Sequence, residues 1–268
     1  MSIMQALILG VLQGLTEFLP VSSSGHLVVV PWLLGWASPI LAFDLMVHLG
    51  TLAAVAVYFR RDIADLALGL WHLAARRRMT PAGRLALLLI VSAVPGALAG
   101  YLFEDLFEGL FGKPPSVAAF LLVTGTALFV SERLGARGRS LEGLRLGDAL
   151  LIGLAQAVAI VPGISRSGAT LSVGLLRGLQ RAEAGRFAFL MALPITLGAA
   201  GYGLLKALAG GTMTGSGVVL GVGFLAAAAS ALLSIRFFLG YVRSHSLRPF
   251  AYYCWAAGLF ALLMATLR

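Results

Sequence analysis

Gln13 and Glu17, then Ser22, Ser23, Ser24, Gly25 and His26, sit close together in an otherwise apolar run. A carboxylate, an imidazole and several hydroxyls are the groups that proton transfer and nucleophilic attack use. Gln13 and Glu17 are four apart, so on a helix they share a face, with Gly10 on the same stripe. A carboxylate at membrane depth costs roughly 2.5–3.5 kcal/mol on insertion scales and is normally paired, hydrated or bound to a cation. A glutamate snorkelling to the interface or capping a neighbouring helix would explain Glu17 alone, but not His26 and three hydroxyls beside it. Serines ahead of the apolar stretch Leu27 to Val30 are good N-caps. A helix begun there offers free amides and a positive dipole end to phosphate. Capping accounts for one serine, so His26 is read as acid, base or nucleophile rather than as a structural histidine.

A second group runs Pro162, Gly163, Ile164, Ser165, Arg166, Ser167, Gly168, Ala169, Thr170. An arginine flanked by serines and glycines suits an oxyanion or phosphate, because its planar fork binds bidentately and glycine lets backbone amides approach. An arginine resting on anionic lipid headgroups is the plainer reading; it suits Arg177, Arg181 and Arg186 better than Arg166. Asp44 and His48, four apart, either line a cavity mouth or pair with each other. His72 and His245 fall in basic stretches and are read as solvated. Gly96 with Gly100, and Gly217 with Gly221, have the spacing of helix-packing glycines. The sequence carries no phosphate-loop lysine motif, dinucleotide fingerprint, nucleophile elbow or HExxH helix.

The two polar groups lie in one segment written twice. Adding 143 to a position in Ala6 to Leu27 gives its match in Ala149 to Thr170: Ala6 with Ala149, Gly10 with Gly153, Gln13 with Gln156, Ser22 with Ser165, Ser24 with Ser167, Gly25 with Gly168. Glu17 and His26 occur only in the first copy. Arg166 occurs only in the second, opposite Ser23. A duplicated scaffold whose halves give different groups to one shared site would look like this.

The elements that position these residues belong to a membrane. Apolar residues make up 59% of the 268 and charged ones 12%, against about 45–50% and about 25% in soluble domains. Twenty basic residues face eleven acidic ones. The arginines lie between apolar runs, so membrane topology and anionic headgroups explain them, and nucleic acid is not expected as a partner. The lone Cys254 excludes an internal disulfide and a multi-thiolate metal site. The start of the chain lacks a basic leader and is not read as a cleaved signal.

Spans are expected at Leu41–Phe59, Leu85–Phe103, Ser116–Ser131, Phe187–Leu208, Val218–Leu239 and Pro249–Leu267. Loops are expected at Pro31–Pro39, Glu104–Pro115 and 209–217, with a weakly amphipathic stretch from Asp62 to Ala75. Counting arginines puts 60–84, 133–148 and 240–248 in the cytoplasm. That works only if each duplicated segment enters the membrane and returns to the same side, the first from outside and the second from inside. Pro20 with the serine turn, and Pro162-Gly163, supply the breaks. Broken backbone at membrane depth survives where protein or a wet cavity satisfies it, and broken helices in inverted repeats build ligand sites at the midplane. The alternative is that each segment is one kinked span. The fold class expected is therefore an all-α polytopic membrane protein. It is one integral domain over 1–268 with inverted halves of about 1–140 and 141–268, each a re-entrant helix hairpin plus three transmembrane helices.

One carboxylate, one imidazole, hydroxyls, helix N-termini and an arginine at the midplane suit hydrolysis of a lipid diphosphate. A carboxylate beside phosphates calls for a divalent cation, Mg²⁺ or Ca²⁺. The segments QGLTEFLPVSSSGH (Gln13 to His26) and PGISRSGAT (Pro162 to Thr170) closely resemble the two signature regions of the bacterial undecaprenyl-diphosphate phosphatase family, known for bacitracin resistance, and the resemblance covers nearly the whole chain. It implies conversion of undecaprenyl diphosphate to the monophosphate carrier of cell-wall synthesis, on the outer side of the bacterial cytoplasmic membrane, with a divalent cation. The family's acidic pair falls on Gln13 and Glu17, so one carboxylate, Glu17, stands where some members have two.

The site expected has Glu17, Ser23, His26 and Arg166 as catalytic residues and Glu17 as metal ligand. Gln13, Ser22, Ser24, Gly25, Gly163, Ser165, Ser167, Gly168 and Thr170 are expected to bind substrate. Ser23, activated by His26 or Glu17, is the first choice of nucleophile; water activated by Glu17, or His26 itself, stays open. Partners expected are a polyprenyl diphosphate and the membrane lipids, with a homodimer left open. The rival class is a transporter of lipid phosphate, which would release no phosphate in detergent.

Overall fold

A computed structural model describes the backbone of residues 1–209 and 216–267. Of the loop expected over 209–217, residues 210–215 lie outside those described. Among the described residues the secondary structure is helical, and six helices are long and apolar enough to cross a membrane: α3 (Leu41–Tyr58), α5 (Pro81–Leu102), α7 (Pro114–Leu134), α10 (Arg181–Ala209), α11 (Gly217–Tyr241) and α12 (Arg248–Thr266). Each coincides with an expected span to within a few residues, apart from the start of α10. Large apolar side chains such as Leu98, Leu225, Leu233 and Leu259 are exposed on them, the outward face a lipid solvent requires.

The duplicated segments form two shorter hairpins, α1 (Ile3–Phe18) with α2 (Ser23–Leu34), and α8 (Leu146–Val158) with α9 (Arg166–Leu176). At 1.5 Å per residue, the 16, 12, 13 and 11 residues of these helices reach about 17–24 Å. A hydrocarbon core is about 30 Å thick. None of the four is long enough to cross it alone, and the members of each pair pack on each other.

The remaining helices receive these hairpins through glycine. A Cβ on Gly14 would sit 2.3 Å from the Ala227 carbonyl oxygen, and one on Gly153 would sit 2.4 Å from that of Ser92. So α1 packs along α11 and α8 along α5. Likewise α3 lies on α11 and α10 on α5, while α7 meets α12 and α3 meets α10. Exchanging α1, α2, α3, α5 and α7 with α8, α9, α10, α11 and α12 maps these pairings onto themselves, as a two-fold relation between halves would.

Several expectations need correction. Residues 104–111 form a helix, α6 (Glu104–Phe111), rather than a loop. Its apolar residues recur at helical spacing, and Glu104 suits the positive N-terminal end. The stretch after the first span is a full helix, α4 (Arg60–Arg76). The loop expected from Pro31 starts later, because α2 runs through Pro31 to Leu34 and ends on Gly35, whose φ of +67° closes the helix. Gly217 and Gly221 face open space; on α11, Gly223 makes the close contact instead. Arg177, Arg181 and Arg186, expected on lipid headgroups, each meet a carboxylate: Arg177 Nε donates to Asp148 Oδ1 at 2.7 Å, Arg181 pairs with Glu132 and Arg186 with Asp62. Asp148 and Glu132 are buried in helices facing the arginine-rich loops, and pairing avoids leaving such charges alone in low dielectric.

Candidate active site

Each hairpin breaks at its tip and restarts as a helix capped by serine. Ser22 caps α2, its Oγ accepting from the Gly25 amide at 3.2 Å, and Ser165 caps α9 through the Gly168 amide at 3.0 Å. The duplicated hydroxyls also pair alike, Ser22 with Ser24 at 3.3 Å and Ser165 with Ser167 at 3.1 Å. The backbones differ. Ser165 has an ordinary φ of −72°, whereas Ser22 sits at +69°, a left-handed conformation that a serine adopts only under constraint.

The two tips meet. Gly25 lies against Gly163, a Cβ on the former reaching to 3.4 Å from the Cα of the latter. The Gly163 amide donates to Ser24 Oγ at 3.5 Å, and Ser167 Oγ donates to the Leu19 carbonyl at 3.1 Å. Gly163 has φ +95°, and a Cβ there would fall 2.2 Å from the Val117 carbonyl oxygen, so no other residue fits. Thr124 of α7 bridges the turn, donating to the Gly163 carbonyl at 3.0 Å and accepting from the Ser165 amide at 2.9 Å.

Glu17 occupies the junction. Its Oε1 accepts from Arg166 Nη2 at 2.6 Å, and its Oε2 accepts from Ser23 Oγ at 2.5 Å and Gln13 Nε2 at 3.0 Å. Arg166 Nη1 reaches Thr196 Oγ1 of α10 at 3.0 Å. The Glu17 side chain is 7% exposed and that of Arg166 22%, so the pair is largely desolvated, more so on the glutamate side. The first-turn amides of Ser23 and Ser24 in α2, and of Arg166 and Ser167 in α9, precede the first intrahelical hydrogen bonds, and helix starts of this kind can cradle phosphate oxygens.

Not every expected residue joins this cluster. His26 is buried but makes no hydrogen bond to Glu17 or Ser23. Its Nδ1 lies 2.7 Å from the Ser22 carbonyl oxygen and its Nε2 lies 2.7 Å from Tyr253 Oη. Thr170 donates back to the carbonyls of Arg166 and Ser167 in its own helix. His48 does not pair with the Asp44 carboxylate; its Nδ1 meets the Asp44 carbonyl at 2.7 Å, and Asp44 Oδ1 is buried without a partner. Sequence reasoning missed Thr124, Thr196 and Tyr253. They are single residues in apolar spans, and nothing in their local spacing marks them.

The chain as a whole resembles known proteins. A family model described as bacitracin resistance protein BacA matches residues 6–260. The chain belongs to that family. Among curated BacA-type relatives, one from Pelobacter propionicus named undecaprenyl-diphosphatase is 45% identical over 260 residues, covering 96% of this chain and 95% of its own. Bearers of the same name from Rubrobacter xylanophilus and Syntrophotalea carbinolica are 46% and 47% identical, covering 98% and 96% of this chain and 99% and 97% of their own.

Proposed function

We propose that the protein removes the terminal phosphate of undecaprenyl diphosphate, leaving the lipid monophosphate and inorganic phosphate. The activity is carried over from the relatives' shared name. The observation that supports it here is the Glu17 carboxylate, which holds the Ser23 hydroxyl on one oxygen and the Arg166 guanidinium on the other. In this reading Arg166 and the amides of both tips hold the diphosphate. Ser23 Oγ attacks the terminal phosphorus, its proton passes to Glu17 Oε2, and the bond from phosphorus to the bridging oxygen breaks, releasing lipid monophosphate. Water then attacks the phosphoserine and gives up a proton, and the Ser23 oxygen leaves and is reprotonated. Glu17 rather than His26 is within reach of Ser23, which favours the carboxylate as base; positioning and charge stabilisation supply the rest.

The site also fits a divalent cation. Gln13 Oε1 is buried without a hydrogen-bond partner beside Glu17, and a carboxylate has lone pairs beyond those its three donors use. Among the described residues no three His, Cys, Asp or Glu side chains form a metal-binding group. Glu17 and Gln13 would hold the ion, with phosphate oxygens and water completing its shell as is usual for Mg²⁺. Bound there, Mg²⁺ or Ca²⁺ neutralises phosphate charge.

The halves are read as inverted copies, supported by their exchangeable packing. The arginine-rich loops are placed in the cytoplasm and the site opens to the outer side of the bacterial membrane. Recycling the carrier on that side would support cell-wall synthesis and resist bacitracin. Phosphate release from C55 diphosphate by purified protein in detergent, with and without chelator, tests the reading. Release that stops on chelation supports it, and no release under any cation refutes it in favour of a transporter. A phosphoserine trapped at Ser23 supports the covalent route, and full turnover by Ser23→Ala removes it.

A further inference from the structure

His26 is held at both ring nitrogens. A carbonyl oxygen can only accept, so Nδ1, 2.7 Å from the Ser22 carbonyl, carries the ring hydrogen. The neutral ring keeps its one lone pair on Nε2, and the hydroxyl of Tyr253 at 2.7 Å donates into it. The two rings are nearly parallel, their planes differing by 8° with centroids 5.7 Å apart. Neither contact is casual. The Ser22 carbonyl is aimed by the left-handed backbone of that residue and also receives the His26 amide at 3.2 Å. Tyr253 is delivered by α12, which is seated on the first tip where Cys254 Sγ donates to the Pro20 carbonyl at 3.6 Å. Tyr253 is 47% exposed, so it stands at the protein's edge.

We propose that Tyr253 is a positioning residue of the reaction: its hydroxyl holds His26 as the Nδ1–H tautomer and sets the proton affinity of Nε2. This rests on the proposed reading, in which Glu17 takes the Ser23 proton, and adds to it His26 as a second acid or base, the role its place in the first signature segment implies. The elements packed on α2 are α1, α7 and α12. The titratable side chains they bring are Glu17 from α1, Glu132 and Arg133 from the far end of α7, and Arg248, Tyr252, Tyr253 and Cys254 from α12. Of these, only Tyr253 touches the ring. While the phenol donates to Nε2, the lone pair that a base or nucleophile would use is occupied. His26 therefore exchanges its proton along this bond, and attack by His26 itself requires the phenol to leave.

The test uses the full chain in detergent with C55 diphosphate. Tyr253→Phe removes only the hydroxyl and is expected to lower kcat by about tenfold or more while KM changes by less than about threefold. Replacing Tyr253 with 3-fluorotyrosine and then 3,5-difluorotyrosine makes the phenol a stronger donor and a weaker acceptor. That favours the neutral imidazole, so the limb of the kcat–pH profile that His26→Ala abolishes should move to lower pH in the order of phenol acidity. Wild-type kcat in Tyr253→Phe overturns the proposal, and so does a limb unmoved by fluorination even if kcat falls. Full turnover by His26→Ala would instead remove the assignment of His26 itself, and the proposal with it.

Discussion

Glu17→Gln separates chemistry from architecture at the junction of the tips. The wild-type carboxylate accepts three hydrogen bonds, from Arg166, Ser23 and Gln13. A glutamine keeps an oxygen for Arg166 and presents an NH₂ to the other two. Ser23 can rotate its hydroxyl to accept, and Gln13 can flip its amide to offer the Oε1 that now has no partner. All the partners survive, so the main loss is the charge on the bond to Arg166, about 1.5–3 kcal/mol, and less where the Arg166 side chain, 22% exposed, is screened by water. Glu17→Ala instead strands Arg166, and removing one partner of a buried pair costs about 3–5 kcal/mol. Turnover should respond differently. An amide cannot take the Ser23 proton, and loss of a general base lowers rates by about 10²–10⁴. The expected outcome is a protein that unfolds only slightly earlier than wild type on heating in detergent, binds the lipid diphosphate and releases phosphate at least about a hundredfold more slowly. Phosphate release within tenfold of wild type would show that Glu17 does not take the proton and would refute the reasoning.

Arg166→Ala should reduce phosphate release by about 10²–10³, the usual loss on removing one preorganised donor; near-normal turnover would undo the composite site. Ser22→Gly should be more stable than Ser22→Ala by about 1 kcal/mol in thermal unfolding, because glycine suits φ +69° and caps better than alanine, whereas equal midpoints would show that Ser22 is unstrained. Gln13→Glu adds a second carboxylate beside Glu17, so half-maximal phosphate release should need less Mg²⁺ or Ca²⁺ than wild type; an unchanged cation dependence would place the ion elsewhere.

Much of the fold is legible because the bilayer leaves few choices. Six apolar runs became six long helices, and Pro20 and Pro162-Gly163 broke the duplicated segments where backbone geometry requires. The convergence of Glu17, Ser23 and Arg166 was legible only through the repeat, since 149 residues separate the carboxylate from the guanidinium. Partners supplied by distant helices left no such trace. Tyr253 meets His26 across 227 residues, and Thr196 meets Arg166 from the middle of an apolar span. The arginines of the basic loops misled for a related reason. A surface charge and one paired with a buried Asp148 or Glu132 look identical when the carboxylate is remote in sequence. Pro31 misled too, because a helix loses one amide to proline and can still complete its last turn when packing holds it.

The differences between the two copies explain why there is one site rather than two. Glu17 matches Ile160 at the same shift of 143, and Ile160 packs on Gly100. Gln156, the match of Gln13, is buried with neither its oxygen nor its nitrogen bonded, an amide that lacks the carboxylate its twin serves. Conversely, Ser23 matches Arg166, so the first copy keeps a hydroxyl where the second supplies a cation. The resulting charge is balanced at rest, one carboxylate against one guanidinium at 2.6 Å. A diphosphate arriving at a neutral site gains little from Arg166 while Glu17 holds it, and it is repelled by Glu17 if Arg166 turns away. On the proposed reading, a divalent cation held by Glu17 and Gln13 would resolve that conflict, because the carboxylate would stay ionised as a base while the guanidinium turned to the phosphate. A need for a metal would then follow from having a single arginine opposite a single glutamate. A positively charged residue added at the opening should therefore relax the cation requirement before it alters the rate of the chemical step.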